Sequence, residues 1–334
     1  MNLFYNYDME EKIRWQKKSY RQQEENIAMN KRVVALLIIS LSILSGCGNN
    51  VNNTTDVQVD PVLEEVSEAA SVEQTEEEST SEQETETVTL DFVDVFGEHY
   101  ETTIKPDVPK HDYLNDGFIR DGYKLTYEDD NYTSRLGIDV SRHQGKINWE
   151  KVKAQGVEFA FLRIGYRGYG SEGKICLDQR FYENIKGAQD EGIDVGVYFF
   201  SQAISEEEAL EEAKFVIDAL DGYTLQLPVV YDPESILDDV ARTDDVTGEQ
   251  FTKNTIVFCD SIKENGYEPM IYSNMLWEAF EFDLSQLTEI PIWYADYEEF
   301  PQTPYHFVFW QYTNEGRISG IDGNMDLDIQ IIRF

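Results

Sequence analysis

The sequence predicts an α/β chain, an irregular TIM-like (β/α) barrel with missing late helices and a small N-terminal β-hairpin extension. Two observations carry this expectation. From Leu136 onward, apolar or aromatic runs at 136–140, 159–166, 195–201, 228–234, 269–274, 291–297, 307–313 and 325–331 read as strands punctuated by Gly, Pro or Asp. Helical patterns at 148–155, 178–191, 205–220 and 247–265 fill the early gaps. Alternating strand and helix imply a parallel sheet, and eight strands suggest closure into a barrel. The gaps 297–307 and 313–325 hold only loops, so the end of the barrel is open to hairpins and antiparallel pairing.

Taken in order, residues 1–28 are polar and charged and precede Met29-Asn30-Lys31-Arg32. They read as a mis-start, with Met29 the true one, or else as a cytoplasmic extension. Lys31-Arg32 then leads a short apolar run from Val33 to Leu44. That is a signal-peptide layout, and the run is shorter than the ~20 residues of a membrane-spanning helix. It ends in Leu44-Ser45-Gly46-Cys47, which resembles the bacterial lipobox. Residues 29–47 are therefore expected to be a lipoprotein signal peptide, with Cys47 lipidated. The lipid would hold the chain at the extracellular face of the cytoplasmic membrane of a Gram-positive-type bacterium.

Residues 48–87 are rich in Asn, Thr, Ser and Glu and almost free of aromatics. Such a segment buries too little apolar surface to offset its ordering entropy and is expected to be an acidic, disordered tether. Val88 to Phe96, then Gly97-Glu98, then His99 to Ile104 read as a β-hairpin. Residues 105–135 read as an irregular, aromatic-bearing connector, so 88–135 forms an extension and 136–334 the barrel. Within the barrel, Ser205 with Glu208 three positions on is a capping box. Ala209, Ala213, Val216, Ile217 and Leu220 form one apolar helix face.

The formal charge of −38 argues against nucleic-acid binding, which needs clustered Lys and Arg. Of three cysteines, Cys47 is assigned to lipidation; Cys176 and Cys259 read as unpaired thiols, with a disulfide between them the alternative. No Cys/His spacing suggests a zinc site. Neither metal nor cofactor is expected, and the chain is expected to act as a monomer.

Chemistry in an α/β barrel sits at the C-terminal ends of the strands. Asp139 falls there on the first strand, Asp232 and Glu234 on the fourth, and Asp326 by the last. Residues i and i+2 of a strand share a side, so Asp232 and Glu234 face one way with Cα atoms about 6–7 Å apart. Glycosidases need two carboxyl groups about 5–9.5 Å apart, one protonated and one ionised. A neighbouring carboxylate raises its partner's pKa. Pro233 cannot donate to a ladder and marks a break in pairing. Tyr198, Tyr231, Tyr272, Trp293, Tyr294, Tyr297, Trp310 and Tyr312 lie on or near the same strands. Such rings stack on the apolar faces of sugars or simply pack a core. Gln311 offers a hydrogen-bonding amide beside Trp310.

The order of these motifs resembles glycoside hydrolase family 25, lysozymes that cleave between N-acetylmuramic acid and N-acetylglucosamine. Gly137-Ile138-Asp139-Val140-Ser141-Arg142-His143-Gln144-Gly145 followed by Ile147-Asn148-Trp149 is similar to the family's opening. Phe159 to Tyr166 and Gly196-Val197-Tyr198-Phe199-Phe200-Ser201 resemble its second and third strands, and Asp232-Pro233-Glu234 its Asp-x-Glu signature. Trp293-Tyr294-Ala295, Trp310-Gln311-Tyr312-Thr313 and Gly323-Asn324-Met325-Asp326 look like its closing motifs, so the resemblance spans 136–332. It implies that Glu234 is the general acid. Asp232 would assist, by orienting the 2-acetamido group or by tuning Glu234. Asp139, Asp326, Tyr198, Tyr272, Trp293, Trp310 and Gln311 are the expected substrate-binding residues. The expected partner is the glycan strand of peptidoglycan, and the alternative function is a catalytically silent peptidoglycan-binding lipoprotein.

Overall fold

The computed structural model describes residues 88–334 apart from position 238. The described residues belong to one compact unit, 87–334. The expectations about Met29, the signal peptide, Cys47 and the tether lie outside the described residues.

The extension comprises β1 (Thr89–Val93), β2 (His99–Thr103), β3 (Phe118–Asp121) and β4 (Lys124–Tyr127). The barrel unit comprises β5 (Tyr132–Val140), α1 (Trp149–Ala154), β6 (Phe159–Arg167), β7 (Ile175–Leu177), α2 (Phe181–Asp190), β8 (Asp194–Ser201) and α3 (Glu206–Ala219). It continues with β9 (Val229–Pro233), α4 (Gly248–Glu264), β10 (Pro269–Asn274), β11 (Ile292–Ala295), β12 (Phe309–Gly316) and β13 (Met325–Arg333).

Around the barrel the order is β5-β6-β8-β9-β10-β11-β12-β13, closed by pairing of β13 with β5. Neighbours from β5 to β12 are parallel, whereas β13 is antiparallel to both β12 and β5. The 313–325 gap is thus a hairpin, while the 297–307 gap is a parallel crossover made by a loop.

Alternation along the strands separates two cores. Phe159, Phe161, Val230, Met270, Tyr272, Trp293 and Phe309 fill the barrel interior. Ile138, Leu162, Val197, Tyr231, Ile271, Tyr294, Trp310 and Leu327 belong to the outer layer. Full burial of side chains of this size stabilises by about 1.5–3 kcal/mol each. In α3, Ala209, Ala213, Val216 and Leu220 are buried as its periodicity requires. The cap at Ser205 forms only half the expected box. Ser205 Oγ accepts from Glu208 N, but the Glu208 carboxylate accepts from Ile204 N and Arg242.

The 105–135 connector is not irregular throughout. It contains the β3–β4 hairpin, and β5 already starts at Tyr132. The signal was local: Asp121-Gly122 turns the chain, with Gly122 at φ +63°. Lys124-Leu125-Thr126-Tyr127 then alternates, burying Leu125 and Tyr127. Cys176 and Cys259 are both free thiols, so the alternative disulfide is not formed. Among the described residues, no helix is long and apolar enough to cross a membrane.

Candidate active site

The C-terminal ends of the strands converge on a cleft of about 290 Å³. Asp139, Arg163, Tyr198, Asp232, Glu234, Tyr272, Trp293, Tyr297, Gln311 and Asp326 line it, with Ser141, His143, Gln144 and Phe200 at its margin. The strand parity that buries Val229 and Tyr231 in the outer layer turns Val230 and Asp232 inward. Glu234 follows on the same side, one residue past the end of β9. Asp232 is buried and Glu234 half-buried.

Hydrogen bonds organise one wall. Tyr272 OH and Tyr297 OH both donate to Gln311 Oε1, at 3.0 and 2.9 Å. Gln311 Nε2 in turn donates to Asp139 Oδ2 at 2.8 Å. The floor is aromatic: Trp293 stacks on Phe161 at 4.6 Å between centroids and meets the Tyr198 and Tyr272 rings edge-on. Trp293 Nε1 donates to Asp328 Oδ1 at 2.9 Å. Arg163 reaches Asp178 with Nε at 2.9 Å and a second guanidinium nitrogen at 2.7 Å.

Crowding of buried and half-buried carboxyls in the cleft dominates the electrostatics. Asp139 and Asp326 are register partners across β5 and β13, and like charges directly opposite one another repel. Burial first, then Asp326 and Asp328, pushes Asp139 well above the carboxylate range. Burial and then Glu234 do the same to Asp232, while Arg163 pulls it down. Burial and then Asp326 raise Glu234 to about 7. Asp326 rises to about 6 and Asp328 well above its ordinary value, both mainly through burial. Such a cluster cannot ionise completely and keeps protons at neutral pH. Asp232 Oδ1 is buried and finds no hydrogen-bond partner among the described residues. A buried acceptor left open in this way is suited to a donor brought by a ligand.

Most of the residues singled out from sequence meet here, but not all in the expected role. Glu234, Asp232, Asp139, Asp326, Tyr198, Tyr272 and Gln311 all face the cleft. Trp293 reaches it only as floor, since it is 1% exposed and committed to Asp328. Trp310 does not reach it and is corrected from the substrate-binding set. Its parity is opposite to that of Gln311: it lies fully buried in the outer layer, edge-on to Phe118, with Nε1 donating to Asp296 O. Tyr231, Tyr294 and Tyr312 are outer-layer residues too. Sequence reasoning missed Arg163, His143 and Asp328. Arg163 and Asp328 were within reach of parity, sharing a face with Phe161 and Asp326 respectively. Among the described residues, no group of three or more His, Cys, Asp or Glu is arranged to hold a metal ion.

A profile of the family described as Glycosyl hydrolases family 25 matches residues 138–321. The autolytic lysozyme of Clostridium acetobutylicum is 25% identical over 193 residues, covering 58% of this chain and 54% of that protein. Lysozyme M1 of Streptomyces globisporus is 27% identical over 199 residues, covering 57% of this chain and 65% of that protein. The chain thus spans little more than half the length of the first of these relatives and under two thirds of the second. The modular autolysin LytC of Streptococcus pneumoniae, solved in complex with a synthetic peptidoglycan ligand, shares the fold. It superposes with a TM-score of 0.52 at 23% identity, over 72% of this chain and 56% of that one.

Proposed function

This chain belongs to glycosyl hydrolase family 25, and from that premise we propose that it is a lysozyme-type muramidase. It would cleave the bond between N-acetylmuramic acid and N-acetylglucosamine in the glycan strands of peptidoglycan. The observation that carries the reading is the pair Asp232 and Glu234 on one face of the cleft, with Glu234 pushed up to about 7. A carboxyl group of that pKa still carries its proton in about half of the molecules at neutral pH, far more than an ordinary glutamate, and can donate to the leaving glycosidic oxygen. The coupled pair shares its protons, and in the form in which Glu234 holds one and Asp232 is ionised, Asp232 supports the oxocarbenium-like charge. Its open Oδ1 favours a part in orienting the 2-acetamido N–H of the sugar. Tyr198 and Tyr272 offer ring surface for the sugar, while Gln311, itself fixed by Tyr297, holds Asp139.

Glu234→Gln is expected to bind wall glycan and to lose about 10²–10⁴-fold of its turnover, the usual contribution of a positioned acid. Muropeptide mass spectrometry of digested walls, wild type beside variant, checks both bond and residue. Wild-type turnover by Glu234→Gln removes the acid from its role. No products from the wild-type chain would favour a glycan-binding lipoprotein.

The address is part of the proposal. Residues 29–47 would export the chain, and a diacylated Cys47 would hold it on the outer face of the cytoplasmic membrane. Lys31-Arg32, the short apolar run and Leu44-Ser45-Gly46-Cys47 support this. Partitioning of the native protein into detergent, lost in Cys47→Ala, is the expected result.

A further inference from the structure

We infer that Gln202 and Thr243 form a buried clamp on the backbone of Glu234, and that both are positioning residues for the acid. The inference rests on the reading of Glu234 as proton donor. Glu234 needs such help because of where it stands. The β8–β9 ladder ends with Ser201 opposite Pro233, and proline has no N–H with which to continue it. The acid is therefore the first residue beyond the sheet, at the start of the loop that leads to α4.

Gln202 takes over where the ladder stops. Its Nε2 donates to Glu234 O at 2.6 Å and to Ser201 O at 3.0 Å. Two carbonyls can only accept, so the nitrogen of the amide must face them and its oxygen must face away. That oxygen accepts from Thr243 Oγ1 at 2.9 Å. Gln202 is 1% exposed and Thr243 7% exposed, so water does not readily replace either bond. The loop that leaves the sheet at Glu234 thus returns nine residues later to fix the amide that holds its origin.

The clamp has an anchored base. Arg242 donates to Gln202 O at 3.3 Å and grips Glu208 of α3 with two bonds of 2.7 and 2.8 Å. Arg242 N also donates to Tyr169 O at 2.9 Å. Its guanidinium lies against Gly173, where a Cβ would come within 2.1 Å. Ser201, next to Gln202, is tied by its hydroxyl to Glu212 Oε2 at 2.6 Å. The acid is thereby referred to α3 as well as to the far end of its own loop.

Held in this place, the Glu234 carboxyl stays half-buried beside Asp326, the two influences that raise its pKa. Releasing the clamp lets the carboxyl hydrate, so its proton affinity falls. A general acid works only while protonated, so the alkaline limb of the rate profile must then move to lower pH.

The test uses the whole chain on purified peptidoglycan, with kcat and KM followed against pH. Gln202→Ala and Thr243→Val are expected to lose about 10²-fold in kcat, the scale of an ångström misplacement. KM should stay within about twofold, and the alkaline limb should move down in pH. Thr243→Ser keeps the hydroxyl and should keep the wild-type profile. A folded Gln202→Ala with wild-type kcat and alkaline limb overturns the clamp. So does a loss shared by kcat and KM with the limb unmoved, which is damage without repositioning. Where Gln202→Ala fails to fold, Thr243→Val beside Thr243→Ser decides by the same criteria. Glu234→Gln in the same assay keeps the two readings apart. If that variant turns over normally the acid assignment falls, and if it is dead while the clamp variants are unchanged the clamp falls.

Discussion

The two sides of the barrel cover the same kind of surface by different means. Strands β6, β8, β9 and β10 carry α2, α3 and α4 on their outer faces, the standard solution for a parallel sheet. On the other side the chain supplies no helix of comparable length after β11. The cover comes from the N-terminal extension. Phe118 packs edge-on against Trp310 at 5.2 Å, and Tyr113 OH donates to Phe307 O at 2.7 Å. Tyr312 OH donates to Tyr123 O at 3.0 Å and accepts from Leu125 N at 3.2 Å. The family match begins at residue 138, so part of the barrel's outer layer is completed from beyond it. The proposed acid pair stands on the helix-covered side, and the Tyr297–Gln311–Asp139 chain leads to the other. The difference teaches that a barrel strand requires an apolar lid, not a helix.

Each side also buries a carboxyl, and these should give the largest effects. Glu212 on α3 is fully buried, bonded to Arg167 Nε at 2.6 Å and to Ser201, and burial raises it to about 7. Glu278 is 1% exposed, accepts from Thr303 Oγ1, and is raised to about 8, again chiefly by burial. In the unfolded chain both ionise near the ordinary value of 4.5. The folded state therefore holds more protons from about 4.5 up to about 8. Stability is fullest below that window and is lost as pH rises through the folded values, on the order of 3 kcal/mol per group. Urea unfolding against pH reads the slope. The two sides should separate under substitution. Glu278→Gln keeps a neutral hydrogen-bonding group and should flatten the slope, whereas Glu212→Gln also removes the charge that Arg167 faces once Glu212 ionises above about 7 and should cost stability there. Equal behaviour of the two variants breaks the contrast.

Next in size is the lid itself. Leu125 on β4 is 1% exposed and Ile185 on α2 is fully buried. If the extension is a true substitute for a helix, Leu125→Ala and Ile185→Ala should each lose about 2–5 kcal/mol in urea unfolding. A cost under about 1 kcal/mol for Leu125→Ala, below the range for a buried leucine, would mark the extension as an appendage.

The contrast also explains what the sequence made legible. Periodicity located the eight barrel strands and the four α-helices among the described residues because burial on one or two faces leaves a repeat. The extension left less trace. Its short strands β3 and β4 read as connector, because half-buried strands of four residues give few repeats. At the site, position at strand ends found Asp139, Asp232, Glu234 and Asp326, and parity set Asp232 and Glu234 on one side. Trp310 was misplaced because an aromatic at a strand end is equally at home on either face, and only the residue beside it, Gln311, points inward. Gln202 was invisible for a different reason. Its task depends on Thr243, a loop residue 41 positions away that no spacing rule connects to it.

The smallest predicted effect joins the lid to the cleft. Gln302 behaves like a strand edge toward β1: its Oε1 accepts from Val93 N at 2.8 Å and its Nε2 donates to Val93 O at 2.9 Å. The same Nε2 donates to Asp296 Oδ2 at 3.2 Å, and the Gln302 amide N donates to that oxygen at 3.0 Å. Asp296 also accepts from Tyr294 OH and Glu298 N, which fixes the turn carrying Tyr297 into the cleft. Gln302→Ala removes the two bonds to Val93 and should cost about 1–2 kcal/mol. Because Gln302 acts on the cleft only through the turn that carries Tyr297, and the acid pair stands on another strand, kcat should hold while KM rises about threefold, the pattern of lost uniform binding. Arg120 supports the same turn through its bonds to Glu298 O and Glu299 O, so some stiffness survives and the effect stays small. A fall in kcat in place of a rise in KM would instead mean that the extension governs the acid pair as well, and the two sides of the barrel would then be mechanically one.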